Sequence, residues 1–240
     1  KIAYIMPTNI FFAKSQNKKR PRTVPEEVIE RQYKSFQFPV EEEHFEEIEI
    51  HNFQLMKKFM TKDKINLTKN NKKVQYFYDN INSYFNLIKD FNQNNKHHDY
   101  LLGEHSALTT NEIKNKIVRR EINIDTSFHN SLILAGYLHD YGKPFDFLMD
   151  NYGEYHYPSH ANIGAYKLLS LCPFIWSYLS WETFLNFLRL VNYHMDVFQW
   201  KNMSDKTLYN RKKRYGDKIF KGLKILHEAD INNSKKNKEK

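Results

Sequence analysis

The chain holds a single cysteine, Cys172. One thiol excludes an intramolecular disulfide and any zinc site built on several cysteines, and it implies a reducing, cytoplasmic setting. No apolar run approaches membrane-spanning length, so no transmembrane helix and no membrane partner are expected. The first residues lack a signal-peptide pattern. No G-x-x-x-x-G-K-[ST] loop occurs either, so nothing gathers backbone amides and a lysine around β- and γ-phosphates, and the chain as given is no P-loop kinase. Internal repeats are absent. The chain opens at Lys1 on strand-like residues, which reads as a piece of a longer protein.

What is present is aromatic and basic. Plentiful Phe and Tyr can fill a core despite low mean hydropathy. The net charge of +9 comes from scattered lysines and from basic runs near 14–22, 211–214 and 235–240. Charge alone favours solvated faces over a polyanion surface; attraction to nucleotides or RNA is the functional alternative.

Everything turns on Leu134-Ala135-Gly136-Tyr137-Leu138-His139-Asp140-Tyr141-Gly142-Lys143-Pro144. Ser131 to Leu138 predicts a buried helix, stopped by Gly142 and Pro144, with His139 and Asp140 at its last turn. An imidazole beside a carboxylate offers a divalent cation one nitrogen and one oxygen ligand. Adjacent helical residues point about 100° apart, so other helices must complete the shell.

Four further segments offer ligands. His105 opens a predicted helix 34 residues before the central pair, a separation suited to an antiparallel helical hairpin with a surface loop at Arg119 to Ser127. His160 falls in the first turn of another helix, where Gly164 would admit a close neighbour. His194 ends a third helix, and Asp230 lies on a fourth that starts near Gly216. Each alone is as well explained by a hydrogen-bonded buried polar group. Five helices each bringing a His or Asp to an apolar face point to a metal, because burying so many ionisable groups is otherwise costly.

Residues 91–235 resemble an HD-domain metal-dependent phosphohydrolase, whose order is His … His-Asp … His … His … Asp. The closer similarity is to the HD domain of bacterial CCA-adding tRNA nucleotidyltransferases and to HD modules fused to polynucleotide kinases in RNA end-healing proteins. The text that carries it includes Asn95-Lys96-His97-His98, Leu102-Gly103-Glu104-His105, His139-Asp140-Tyr141-Gly142-Lys143, His156-Tyr157 with His160 and Gly164-Ala165-Tyr166, and Glu228-Ala229-Asp230. The resemblance implies a mainly α, helical-bundle domain over 76–235. It implies His105, His139, Asp140 and Asp230 as ligands, with His160 and His194 as the pair found in two-metal members. One or two ions of Mn²⁺, Co²⁺, Ni²⁺, Fe²⁺ or Mg²⁺ are the cofactors expected. Ala161 stands where a glutamate flanks the histidine in the family.

The first 53 residues resemble the last part of a P-loop polynucleotide kinase domain, through Asn17, Arg20, Val24-Pro25-Glu26-Glu27-Val28-Ile29-Glu30-Arg31, Pro39, Glu43 and Phe45. Gln16 replaces an arginine of that pattern and His44 a glycine. The family's phosphate-clamping role would carry to Arg20. The expected layout is thus a small α/β kinase-like segment at 1–53, a linker at 54–75, the HD domain at 76–235 and a basic tail at 236–240. Thr23 and Glu26 predict a capping box at the start of a helix running to about Phe36, and Phe45 to Ile50 a strand.

These resemblances imply hydrolysis of a phosphomonoester or 2′,3′-cyclic phosphate at a nucleotide or RNA end, with the missing kinase portion of the polypeptide as partner. Asp140 is the expected bridging ligand. Lys143 and His156 are candidate catalytic groups; Lys143, His98, Arg20 and Arg214 are candidate substrate contacts. The alternatives are a nucleotide or alarmone hydrolase, disfavoured because Tyr141 to Asp146 lacks the extra catalytic carboxylate pair, and a non-catalytic metal-bound scaffold.

Overall fold

The computed structural model describes residues 1–51, 65–170 and 176–235. Strand β1 (Ile2–Ile5) pairs in parallel with β2 (Glu47–Ile50), Ala3 opposite Ile48 and Ile5 opposite Ile50. Their alternate residues are buried, as a half-covered sheet requires. Helices α1 (Ile10–Lys18) and α2 (Glu26–Lys34) fill the connection. The expected capping box at Thr23 does not form: the residue before α2 is Pro25, and no side chain caps it. Glu26 is drawn instead to Lys14 and Lys18 on α1.

The remainder of the described residues is mainly helical, built from α3 (Lys72–Phe85), α4 (Leu102–Val118), α5 (Thr126–Leu138), α6 (His160–Ser170), α7 (Trp181–Tyr193), α8 (Asp205–Tyr215) and α9 (Asp217–Asn232). A short hairpin, β3 (Leu148–Met149) and β4 (Tyr155–His156), interrupts it. The fold is therefore mainly α, as expected. Apolar α5 is central, packed on α4, α7 and α9, with Leu132, Ile133, Leu134 and Ala135 excluded from solvent. The aromatic rhythm of α3 is core: Phe77, Ile81 and Phe85 are buried. That helix starts earlier than the expected domain boundary, at an Asn71 cap that accepts from the Val74 amide. Part of the expected 54–75 linker is core as well, since Ile65 and Leu67 are buried and their backbone bonds Asn130 on α5. The remainder up to residue 64 lies outside the described residues, as does the expected 236–240 tail.

The N-terminal segment is fastened to α7. The Asn192 carboxamide accepts from the Phe38 amide at 2.5 Å and donates to the Phe36 carbonyl at 3.2 Å. Tyr193 donates to the Phe38 carbonyl, and Arg189 to that of Pro39.

Gly142 sets the approach of α6 to the end of α5. A Cβ there would lie 1.9 Å from the His160 carbonyl oxygen and 2.7 Å from the Gly164 amide, with Gly164 itself facing back. Backbone cannot retreat as a side chain tip can. Gly142→Ala is expected to cost at least about 1–3 kcal/mol, as overpacking does, and to weaken metal binding because His160 shifts. Urea unfolding beside metal titration checks this; an unchanged midpoint would show the contact to be loose.

Candidate metal centre

Each ligand candidate is placed by a helix end. His139 and Asp140 follow the last residue of α5, His160 begins α6, His194 follows α7, His105 is in the first turn of α4, and Asp230 in the last turn of α9. All six are buried. His105 and His139 bring their Nε2 atoms to 3.3 Å from each other. Asp140 Oδ2 lies 3.5 and 3.3 Å from them, and Asp230 Oδ1 3.1 Å from the first and 3.7 Å from the second. His160 and His194 face each other at 3.1 Å between Nε2 atoms, with Asp140 Oδ1 at 3.2 and 3.6 Å. Asp140 thus offers one oxygen to each histidine pair, and two groups of possible ligands share it.

The backbone decides which nitrogen of each ring faces inward. Nδ1 of His139, His160 and His194 meets the carbonyl three residues earlier, of Gly136, Tyr157 and Val191, at 3.1, 2.7 and 2.7 Å. His105 Nδ1 meets the Asn233 carbonyl at 3.1 Å. A carbonyl only accepts, so Nδ1 carries the proton and the Nε2 lone pair points to the centre. Four lone pairs and two carboxylates then converge with no hydrogen among them. This donor set requires positive charge, and it suits divalent cations bound by nitrogen and oxygen.

Without a cation the same need falls on a proton. Burial opposes charge on His139, but Asp140 and Asp230 outweigh it and lift the imidazole to about 10. Burial would raise both aspartates, yet His139 and Lys143 around Asp140, and His105 and His139 around Asp230, hold them well below the usual carboxylate range. Burial depresses His194 below the ordinary imidazole value.

Lys143 is buried, not the exposed residue its place after a helix stop would permit. Its Nζ sits 2.6 Å from Asp140 Oδ2, 2.6 Å from Gln93 Oε1 and 3.0 Å from His98 Nε2. Gln93 and His98 take hydrogen bonds from the ammonium, while Asp140 Oδ2 meets it only as an ion pair and has no hydrogen-bond partner of its own, so Lys143 is held as a counter-ion to the shared carboxylate. His98 accepts because burial, then the Lys143 charge, push it down to about 3. Gln93 is fully buried and escaped sequence reasoning: it lies in a polar stretch with no local sign of burial. Asp146 is turned away; Oδ2 accepts from the Ser159 amide at 2.6 Å, fixing the start of α6 behind His160.

A cavity of about 560 Å³ opens over this cluster, lined among others by His98, Asp140, Lys143, His156, His160 and Asp230. His156 stands at its half-exposed edge, its Nε2 2.9 Å from Asp150 Oδ2. Two expected substrate contacts do not line it. Arg20 is exposed in the turn after α1, and Arg214 donates to Gln37 while lying over Tyr193 and Tyr215.

The family model of the HD domain matches residues 104–231, more than half of the chain and a span that takes in all six residues of the cluster. The chain belongs to the HD-domain family, a superfamily of metal-dependent phosphohydrolases. No curated protein and no solved structure matches it.

Proposed function

We propose that this chain hydrolyses a phosphomonoester or 2′,3′-cyclic phosphate at a nucleotide or RNA end, at a centre of two divalent cations. Asp140, with one oxygen toward His105 and His139 and the other toward His160 and His194, is the observation that carries this reading. The ligands would be His105, His139, Asp140 and Asp230 for one ion, and Asp140, His160 and His194 for the other. Such ions bind phosphate oxygens and lower the pKa of water so that hydroxide is available near neutral pH. The chain's own contribution is orientation. Carbonyls lock four ring tautomers, and Lys143 pins the carboxylate that both ligand groups use. His156, at the mouth, can hand a proton to a leaving oxygen; His98 serves as an acceptor for Lys143.

The RNA-end preference rests on the N-terminal segment. A parallel β1–β2 pair joined through two helices is an α/β unit, as a kinase-domain end would be. His44, standing where that family has glycine, has φ of +50°, the left-handed region glycine favours. A kinase elsewhere in the polypeptide would add the 5′ phosphate that a 3′-end hydrolase complements, with Arg20 as its phosphate clamp.

p-Nitrophenyl phosphate and a 2′,3′-cyclic nucleotide, tried with Mn²⁺, Ni²⁺ or Co²⁺, test the activity. No turnover with any of these would leave only a metal-bound scaffold. His139→Ala is expected to abolish hydrolysis, whereas His194→Ala alters metal preference or lowers the rate in part. Equal loss in the two variants would mean that both ions are obligatory. For Lys143→Met the expected result is a rate about 10–100-fold lower, as for loss of a group that orients a ligand. Unaltered metal affinity in that variant would count against a positioning role.

A further inference from the structure

The cavity is far larger than one phosphate needs, and part of its wall is apolar. Met195 and Phe198, on the turn after α7, and Ile231, at the end of α9, line it while 39%, 40% and 50% exposed. Tyr155 and Tyr157 line it from the hairpin strand β4 and the residue after it. Folding leaves these apolar atoms wet at a site whose floor is ionic. Exposed apolar surface gathered at a pocket marks ligand contact.

Ring orientation says what kind of ligand. Phe198 is held edge-on by His227, centroids 4.4 Å apart and planes at 88°. Tyr155 is stacked on Phe91 at 6.3 Å and 27°, with Phe147 at 4.9 Å on it as well. Rings braced in this way present fixed planes, which reward a flat π-system more than a flexible chain. Two of the polar groups on the wall are already engaged. Asn95 donates to the Gln93 carbonyl and accepts from the His97 amide, and Ser234 donates to the Asp230 carbonyl. The atoms so engaged are not free to read a base edge.

We infer that Met195, Phe198 and Tyr155 form a seat for the nucleobase next to the reacting phosphate, one that accepts any base by stacking. This rests on the phosphohydrolase reading above and specifies its substrate class: a base-bearing phosphate, of any of the four bases.

Two measurements on the metal-loaded chain separate the two ideas. The first compares kcat/KM for the four nucleoside 3′-monophosphates with that for ribose 5-phosphate. The second follows binding of adenosine, which has no phosphate to lose, by calorimetry. The expected result is at least tenfold preference for nucleotides over ribose phosphate, similar values for all four bases, and adenosine binding weakened about tenfold in Phe198→Ala. Met195→Ala should act in the same direction, and in both variants the nucleotide-to-ribose ratio should shrink. Both positions are partly exposed, so circular dichroism should report intact folding. Turnover with no preference for nucleotides and no adenosine binding would overturn the seat and leave the hydrolase standing. Adenosine binding that Phe198→Ala weakens, without turnover of any phosphate, would uphold the seat and sink the hydrolase. Strong discrimination among bases would overturn the stacking mode.

Discussion

Asp140→Asn is expected to reduce hydrolysis by at least about 10²–10³-fold, the loss typical of a single group that stabilises developing charge. The loss should involve both cation sites at once, because Asp140 faces both histidine pairs. Asparagine keeps the shape and an acceptor for Lys143 but presents only one oxygen and no charge. Metal analysis should therefore find both sites weakened, not one. Asp140→Ala goes further, leaving the buried Lys143 ammonium without its carboxylate, and is expected to destabilise the fold by about 3–5 kcal/mol. Asp140→Asn with near-native folding but little metal or rate is the informative outcome. Full metal occupancy in that variant would refute the shared-ligand geometry.

Chelation should lower Tm by roughly 10 °C. A ligand that binds only the folded chain stabilises it by about 4 kcal/mol at a thousand times its Kd, and in a chain of this size each kcal/mol moves Tm by about 2–4 °C. The effect should grow with pH. In the metal-free fold His139 is lifted from 6.5 to about 10. Its proton-linked stabilisation is therefore complete below about pH 6.5 and lost as pH climbs through about 10. A cation needs that nitrogen free, so its own contribution has the opposite slope and rises over the same window. Melting with and without EDTA at pH 6 and pH 8 checks the sign. An equal or larger drop at pH 6 would mean that the proton on His139 is not displaced by metal.

The helical bundle and the order of the buried His and Asp residues were legible along the chain because helix ends carry local marks. Gly142 with Pro144, the apolar run to Leu138, and the start of α9 after Gly216 all place ionisable residues at predictable turns. Local reasoning failed where distant contacts decide. The Thr23 capping box lost to ion pairs from α1, and Ile65 and Leu67, in a stretch that reads as linker, are claimed by Asn130 and the core. Neither signal lies within a few residues of the element it alters.

Residue identity by itself determined that imidazoles and carboxylates able to hold a cation are present, and that helix termini would display them. Tertiary structure alone decided how those groups divide: which oxygen of Asp140 faces which histidines, that Lys143 is buried between Gln93 and His98, and that Arg20 and Arg214 stand away from the cavity. The physical reason is range. Helix start and stop are set within a turn of chain, whereas side-chain direction at a shared centre is set by carbonyls and packing that reach it from five helices at once.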